Sequence, residues 1–316
     1  MSSLPVARPL ILQRADPCIR RHDGWYYFTA SVPEYDRIEL RRSRTIAGLR
    51  DAATRDVWRK SATGPTSALI WAPEIHHHFG AWWIYFAAAP SQEIKDALFQ
   101  HRMYAIGNPS ANPLEGSWSP PVRVDSGLDS FSLDATTFAH RGAHYYVWAQ
   151  KDPAIAGNSN LYIARLATAT TLATPPVRLS IPEFDWEIRG FRVNEGPAVL
   201  IRHGKVFLSY SASATDENYC LGLLQARDDA DLLDPQSWRR SSQPVFRSDF
   251  ENKVYGPGHN SFTVAEDGST DLLVFHARTY TEIVGDPLWD PNRHTYVKTL
   301  RWDQDGQPVF GKPSEP

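Results

Sequence analysis

Five times along this chain of 316 residues one phrase recurs: an opening residue, a short apolar run, a tight turn, then an aromatic strand ending in small residues. Asp16 opens "DPCIRRHDGWYYFTAS", Trp71 opens "WAPEIHHHFGAWWIYFAAA" and Asp134 opens "DATTFAHRGAHYYVWAQ". Glu195 opens "EGPAVLIRHGKVFLSYSAS" and His259 opens "HNSFTVAEDGSTDLLVFHAR". The spacing is about sixty residues, in the range where self-similarity signals solenoids or propellers. Three of the five openers are carboxylic acids. A closed radial array brings such chain-distant groups to one central point.

Within each copy the pattern is β. The runs "WYYFTAS", "WWIYFAAA", "HYYVWAQ", "KVFLSYSAS" and "DLLVFHAR" are aromatic and β-branched, and each follows an X-Gly pair. Such pairs make primed hairpin turns, because glycine tolerates a positive φ. Third strands are expected at "IELRRS", "LYIARL" and "YCLGLLQA", and fourth strands at "PVRVDS", "PVRLSI" and "PVFRSD". Four strands in each of five units define an all-β, five-bladed β-propeller with a central funnel. No shift in composition marks a linker, so residues 1–316 are expected to form one propeller domain. The stretch "SQEIKDALFQHRMYAI" is expected to mix a short loop helix with a strand. The apolar "RPLILQ" before Asp16 is placed as a strand of the last blade, closing the ring.

A formal charge of -3 provides no field that attracts nucleic acid. The basic run Arg37 to Arg44 reads as a solvated strand edge. Two cysteines, Cys18 and Cys220, cannot make a disulfide framework or a cysteine-rich zinc site, and both sit in apolar stretches as buried thiols. No apolar run reaches the roughly eighteen residues a membrane span needs. The N-terminus lacks a signal-peptide pattern, so the expectation is a cytoplasmic protein, or a secreted one if a leader has been removed.

Carboxyls converging on a low-dielectric funnel repel one another, which raises one pKa while another stays low. That separation supplies an acid and a base at one pH, the division of labour that glycoside hydrolysis needs. Acids on different blades favour the wider gap of an inverting enzyme.

The motifs "ADP" (Asp16), "WAPEIH" (Trp71 to His76), "SLDATTF" (Asp134), "VNEGPAV" (Glu195), "YGPGHNSF" (His259) and "DPNRHTYVKTLRW" (Arg293) make the chain resemble glycoside hydrolase family 43 from about Ala15 to Pro313. The resemblance implies Asp16 as general base, Glu195 as general acid and Asp134 as the residue that raises and orients the acid. It implies inversion. The wording around Tyr219 and His259 is most similar to the exo-acting α-L-arabinofuranosidases of the family. Arg293 is expected in the sugar subsite beside Asp134, and Trp71 and Phe131 as an apolar wall for the sugar. His259 is expected to touch substrate or a central cation such as calcium, although calcium prefers oxygen ligands. No cofactor is otherwise required.

His76-His77-His78 is a weak metal signal, since alternate strand residues point to opposite faces. His77 and His78 are therefore expected in a solvated turn. "GPGHN" lacks the strand-loop-helix setting of a phosphate cradle, and no Gly-x-Ser-x-Gly elbow is present. The expected activity is inverting release of terminal α-L-arabinofuranosyl residues from arabinan or arabino-oligosaccharides. The partner is thus an arabinose-containing saccharide, with neither nucleic acid nor membrane. The alternatives are a β-xylosidase, alone or with both activities, and a non-catalytic sugar-binding propeller.

Overall fold

The computed structural model describes residues 8–315. Five antiparallel sheets follow one another along the chain. Their inner strands are Ala15–His22, Ala68–His78, Ser132–His140, Asn194–Arg202 and Tyr255–Val264. Each inner strand lies beside the next, and the fifth lies beside the first. The fold is a five-bladed β-propeller.

Local sequence dictates each blade. In the first four, a two-residue turn joins the inner strand to its neighbour, with both turn residues at positive φ: Asp23-Gly24, Phe79-Gly80, Arg141-Gly142 and His203-Gly204. That is the primed geometry that matches strand twist. The second strands are apolar without alternation because both faces are covered. Along Ala81–Ala89, Trp82, Ile84, Phe86 and Ala88 pack toward blade one, while Tyr85, Ala87 and Ala89 pack toward blade three. Five apolar clusters of this kind fill the five junctions between blades. Fully burying one large apolar side chain contributes about 1.5–3 kcal/mol, so these junctions hold the ring.

The ring closes through the N-terminal segment. Leu10 and Ile11 donate their N–H groups to the Thr295 carbonyl, and the Thr295 N–H returns to Ile11. The contact is a single antiparallel bridge onto the third strand of blade five, not a full strand. The expected third strands form, as do the fourth strands Val122–Arg123 and Val177–Ser180. In blade four, Arg239–Arg240 is the fourth strand and the "PVF" segment adds only a bridge from Phe246 to Leu221.

Two local expectations fail. The stretch from Ser91 to Ile106 contains no helix; Ile94–Lys95 and Leu98–Phe99 form a small hairpin, followed by the strand Arg102–Asn108. Asp96 and Ala97 both take positive φ there, a primed turn without its usual glycine. His77 and His78 belong to a strand instead of a solvated turn. His77 packs on His22 and Trp82, and His78 shares a hydrogen bond with the Tyr85 hydroxyl. Among the described residues no helix is long and apolar enough to cross a membrane.

Candidate active site

The inner strands carry bulges at the mouth of the propeller, where one residue adopts a left-handed conformation. Counting seven residues back from each two-residue turn gives Asp16, Ala72, Asp134 and Gly196, and all four have positive φ. His259 holds the same place in blade five. Trp71 and Glu195 therefore stand one residue before the register of Asp16, Asp134 and His259. Glu195 nonetheless reaches the axis because a bulge re-aims the side chains beside it.

The left-handed turn points a backbone N–H at the preceding blade. Ala72 donates to Ser31 Oγ (2.8 Å), Gly196 to Asp134 Oδ2 (3.0 Å) and His259 to Ser211 Oγ (2.8 Å). Asp16 closes the circle by donating to His276 Nδ1 of blade five (3.0 Å). Gly196 has a second requirement. A methyl there would lie 3.1 Å from Ser211 Oγ and 3.2 Å from the His259 ring.

Asp16, Asp134, Glu195, Trp71, Phe131, His259 and Arg293 all line one cavity of about 180 Å³ on the axis. Asp16 is buried, and its Oδ2 accepts a 2.5 Å hydrogen bond from Ser31. Arg293 Nη1 lies 3.4 Å from Asp16 Oδ1, and its Nη2 donates to the Tyr35 hydroxyl (2.9 Å). The guanidinium thus pairs with Asp16, correcting the expectation that it stands beside Asp134. Burial alone would raise the Asp16 carboxyl, but His259, Arg293 and His276 reverse this and hold it well below the usual carboxylate range.

The other two acids move the opposite way. Burial and the neighbouring charges of Glu195 and Asp16 push Asp134 well above its ordinary value. Burial pushes Glu195 up to about 7, although a hydrogen bond from Tyr219 opposes the shift. Asp134 and Glu195 therefore retain a proton between them toward neutrality, while Asp16 is ionised.

His259 Nδ1 lies 3.3 Å from Asp16 and 3.7 Å from Asp134, and burial lowers its pKa. Among the described residues no three His, Cys, Asp or Glu side chains converge as a metal-ligand group. Calcium takes oxygen ligands, and the oxygens nearest the His259 ring are the Asp16 and Asp134 carboxyls that line the cavity. Trp71 forms the cavity wall, stacked on His101 at 4.0 Å and edge-on to Phe99.

Sequence reasoning missed several wall residues. Tyr219 donates to Glu195 Oε1 (2.9 Å), and Tyr35 links Trp71 to Arg293. The hairpin residues Ile94, Leu98 and Phe99 and the loop residues Asp286 and Leu288 also line the cavity. Arg278 pins that loop through Asp290 and the Pro287 carbonyl. The glycines of "YGPGHNSF" were a usable signal, since a methyl at Gly258 would lie 2.3 Å from the Tyr219 ring.

A propeller with ionised and protonated carboxyls around one axial cavity is built for acid–base chemistry on a ligand of monosaccharide scale. The sequence profile of glycosyl hydrolases family 43 matches residues 6–308, and the chain belongs to that family. It is 51% identical over 312 residues to a protein of Streptomyces avermitilis named extracellular exo-α-(1→5)-L-arabinofuranosidase, covering 98% of this chain. It spans only 64% of that relative's length. A Streptomyces chartreusis protein of the same name is 52% identical over 90% of this chain and 85% of its own. The solved structure of an α-L-arabinofuranosidase from Lactobacillus brevis superposes with a TM-score of 0.96 at 57% identity, covering 98% of this chain and 97% of that one. The two Streptomyces names overturn the cytoplasmic expectation. That expectation rested on the N-terminal pattern alone, and the folded core of a propeller carries no mark of its compartment.

Proposed function

We propose that this chain is an inverting, exo-acting α-L-arabinofuranosidase that releases terminal arabinofuranosyl residues from arabinan or arabino-oligosaccharides. The observation that carries the reading is the opposed ionisation of Asp16 and Glu195 around one axial cavity. Glu195 gives its proton to the glycosidic oxygen as the bond from that oxygen to the anomeric carbon breaks. A water attacks the opposite face of that carbon and loses its proton to Asp16. Asp134, held by the Gly196 N–H, keeps negative charge near Glu195 costly and so favours its protonated form. Trp71 and Phe131 offer apolar rings to the sugar, while Arg293 and His259 border it and fix Asp16. The wall from the Ile94–Phe99 hairpin to Leu288 favours action at chain ends. The names of the relatives support arabinose as the sugar.

Proton NMR of the first product from an α-L-arabinofuranoside tests the mechanism: β-arabinofuranose is expected, and an α product sinks inversion. Faster turnover of nitrophenyl β-xyloside than of the arabinofuranoside would replace the substrate with xylose. Full activity in Glu195→Ala would remove the assignment of the acid.

A further inference from the structure

The acid and the base are joined by a pair of rings that the proposed mechanism does not use. Tyr219 begins the third-strand region of blade four, and His276 sits on the second strand of blade five. Their rings stack with centroids 5.5 Å apart and planes within 3°. Both are buried, at 1% exposure each. The Tyr219 hydroxyl donates to Glu195 Oε1 at 2.9 Å, and His276 Nδ1 accepts the Asp16 backbone N–H at 3.0 Å. The tyrosine ring has little freedom to turn. The Gly258 backbone presses on it so closely that a methyl there would lie 2.3 Å from two ring carbons.

We infer that Tyr219 is a positioning residue for the acid: it fixes the Glu195 carboxyl and stabilises the carboxylate left when the proton passes to the leaving oxygen, and the His276 stack registers it against Asp16. This inference rests on the reading of Glu195 as the acid. The phenol has the chemistry for the role. Burial, Glu195 and the other acids hold its pKa well above the ordinary value, so it stays a donor through the working range. A donor aimed at a carboxyl favours the ionised form. Glu195 is also faced by Asp134 from blade three and Asp16 from blade one. Arg293, His259 and His276 stand on the blade-five side. Of the bonds described, only that of Tyr219 reaches the Glu195 carboxyl as a hydrogen bond.

The role predicts a dependence on the leaving group that a packing role lacks. An alkoxide leaving group needs the proton fully, whereas nitrophenolate leaves with little help. The Tyr219→Phe variant keeps the ring and the stack but removes the donor. Its kcat on α-1,5-arabinobiose should fall roughly tenfold, as expected for one hydrogen bond to a charged group. Its kcat on 4-nitrophenyl α-L-arabinofuranoside should change by less than about threefold, with KM for both nearly constant. The basic limb of the pH profile should move upward by up to about one unit, because the undonated carboxyl holds its proton longer. Replacing Tyr219 with 3-fluorotyrosine, whose phenol is more acidic, should move that limb down; this near-isosteric variant decides the matter if the phenylalanine variant does not fold.

Equal losses on both substrates with an unmoved basic limb overturn the inference, as does a fluorotyrosine protein identical to the parent. Glu195→Gln, assayed alongside, separates the two levels. If it stays active, the assignment of the acid falls; if it is inactive while the Tyr219 variants show no shift, only the role of Tyr219 falls.

Discussion

Arg293 is the permanently charged group in contact with Asp16, and Arg293→Met tests how the base is kept ionised. At 3.4 Å, two unit charges in an effective dielectric of about 20 attract by about 5 kcal/mol. That corresponds to a ceiling of roughly 3.5 pH units on the shift of the Asp16 carboxyl. The ceiling is not reached, because the Ser31 hydroxyl and the two histidines remain on the same carboxyl. A rise of about 1–3 units is expected, the range for loss of one arginine partner. The parent pKa is depressed, so its contribution to stability is present above the ordinary carboxylate value and disappears as pH falls through the folded value. Without Arg293 that protection shrinks, and acid unfolding begins at higher pH. At neutral pH, losing the arginine partner of this buried carboxylate costs at most about 3–5 kcal/mol. The assay is kcat/KM on the nitrophenyl arabinofuranoside from pH 3 to 8, with circular dichroism at each pH. An acid limb should rise toward the lower edge of that range in the methionine variant, and less in Arg293→Lys. A folded Arg293→Met protein whose acid limb has not moved would refute the electrostatic account.

Three further outcomes follow from the same geometry. Glu195→Gln should be inactive yet more stable than the parent above neutral pH. The raised pKa of about 7 makes the folded parent lose stability as pH climbs from the ordinary carboxylate range, by up to about 3 kcal/mol; melting curves at pH 5 and pH 8 check this, and an equal difference at both would contradict it. Gly196→Ala places a side chain at φ +53°, against the His259 ring and Ser211. The conformation alone costs about 1–2 kcal/mol, and kcat should fall further as Asp134 and His259 shift, so wild-type kinetics would show that the contact is slack. Cys18 and Cys220 are free and buried, and burial pushes the Cys220 thiol up to about 12. A thiol reagent should leave both untouched in the native protein and modify both after unfolding; fast labelling of the native protein would contradict the packing.

The propeller was legible because its signals are local and repeated. X-Gly turns fix hairpins, and a run such as "WWIYFAAA" has nowhere to place both faces except between two blades. The small hairpin at Ile94–Phe99 was not legible, since its turn uses Asp96-Ala97 and its apolar spacing also suits a helix. The three acids could be found from the sequence because each opens an inner strand. Their partners could not. Arg293 is 277 residues from Asp16 in sequence, so that contact exists only after the ring closes, while Tyr219, 24 residues from Glu195, meets it once blade four has folded.

The register of the acids shows where sequence comparison and physical equivalence part. Aligning the openers placed Glu195 opposite Asp16 and Asp134, but the left-handed position in blade four is Gly196. Were a carboxylate at 196, its Cβ would press on His259 and Ser211, and the site would hold three acids in one plane. Glycine there leaves the N–H free to hold Asp134, while the residue before it carries the third carboxyl toward Tyr219. The offset of one residue thus separates a carboxyl placed under the control of Arg293 from one placed under the control of Tyr219. Asp16, Ala72, Asp134 and His259 each bear about 1–2 kcal/mol of left-handed strain. Bonds from the backbone N–H to side chains of the preceding blade offset it at Asp16, Ala72 and His259, and the one from Asp16 to His276 spans the seam between the first and last blades. Loosening that closure at Leu10 and Ile11 should therefore lower activity before it unfolds the blades.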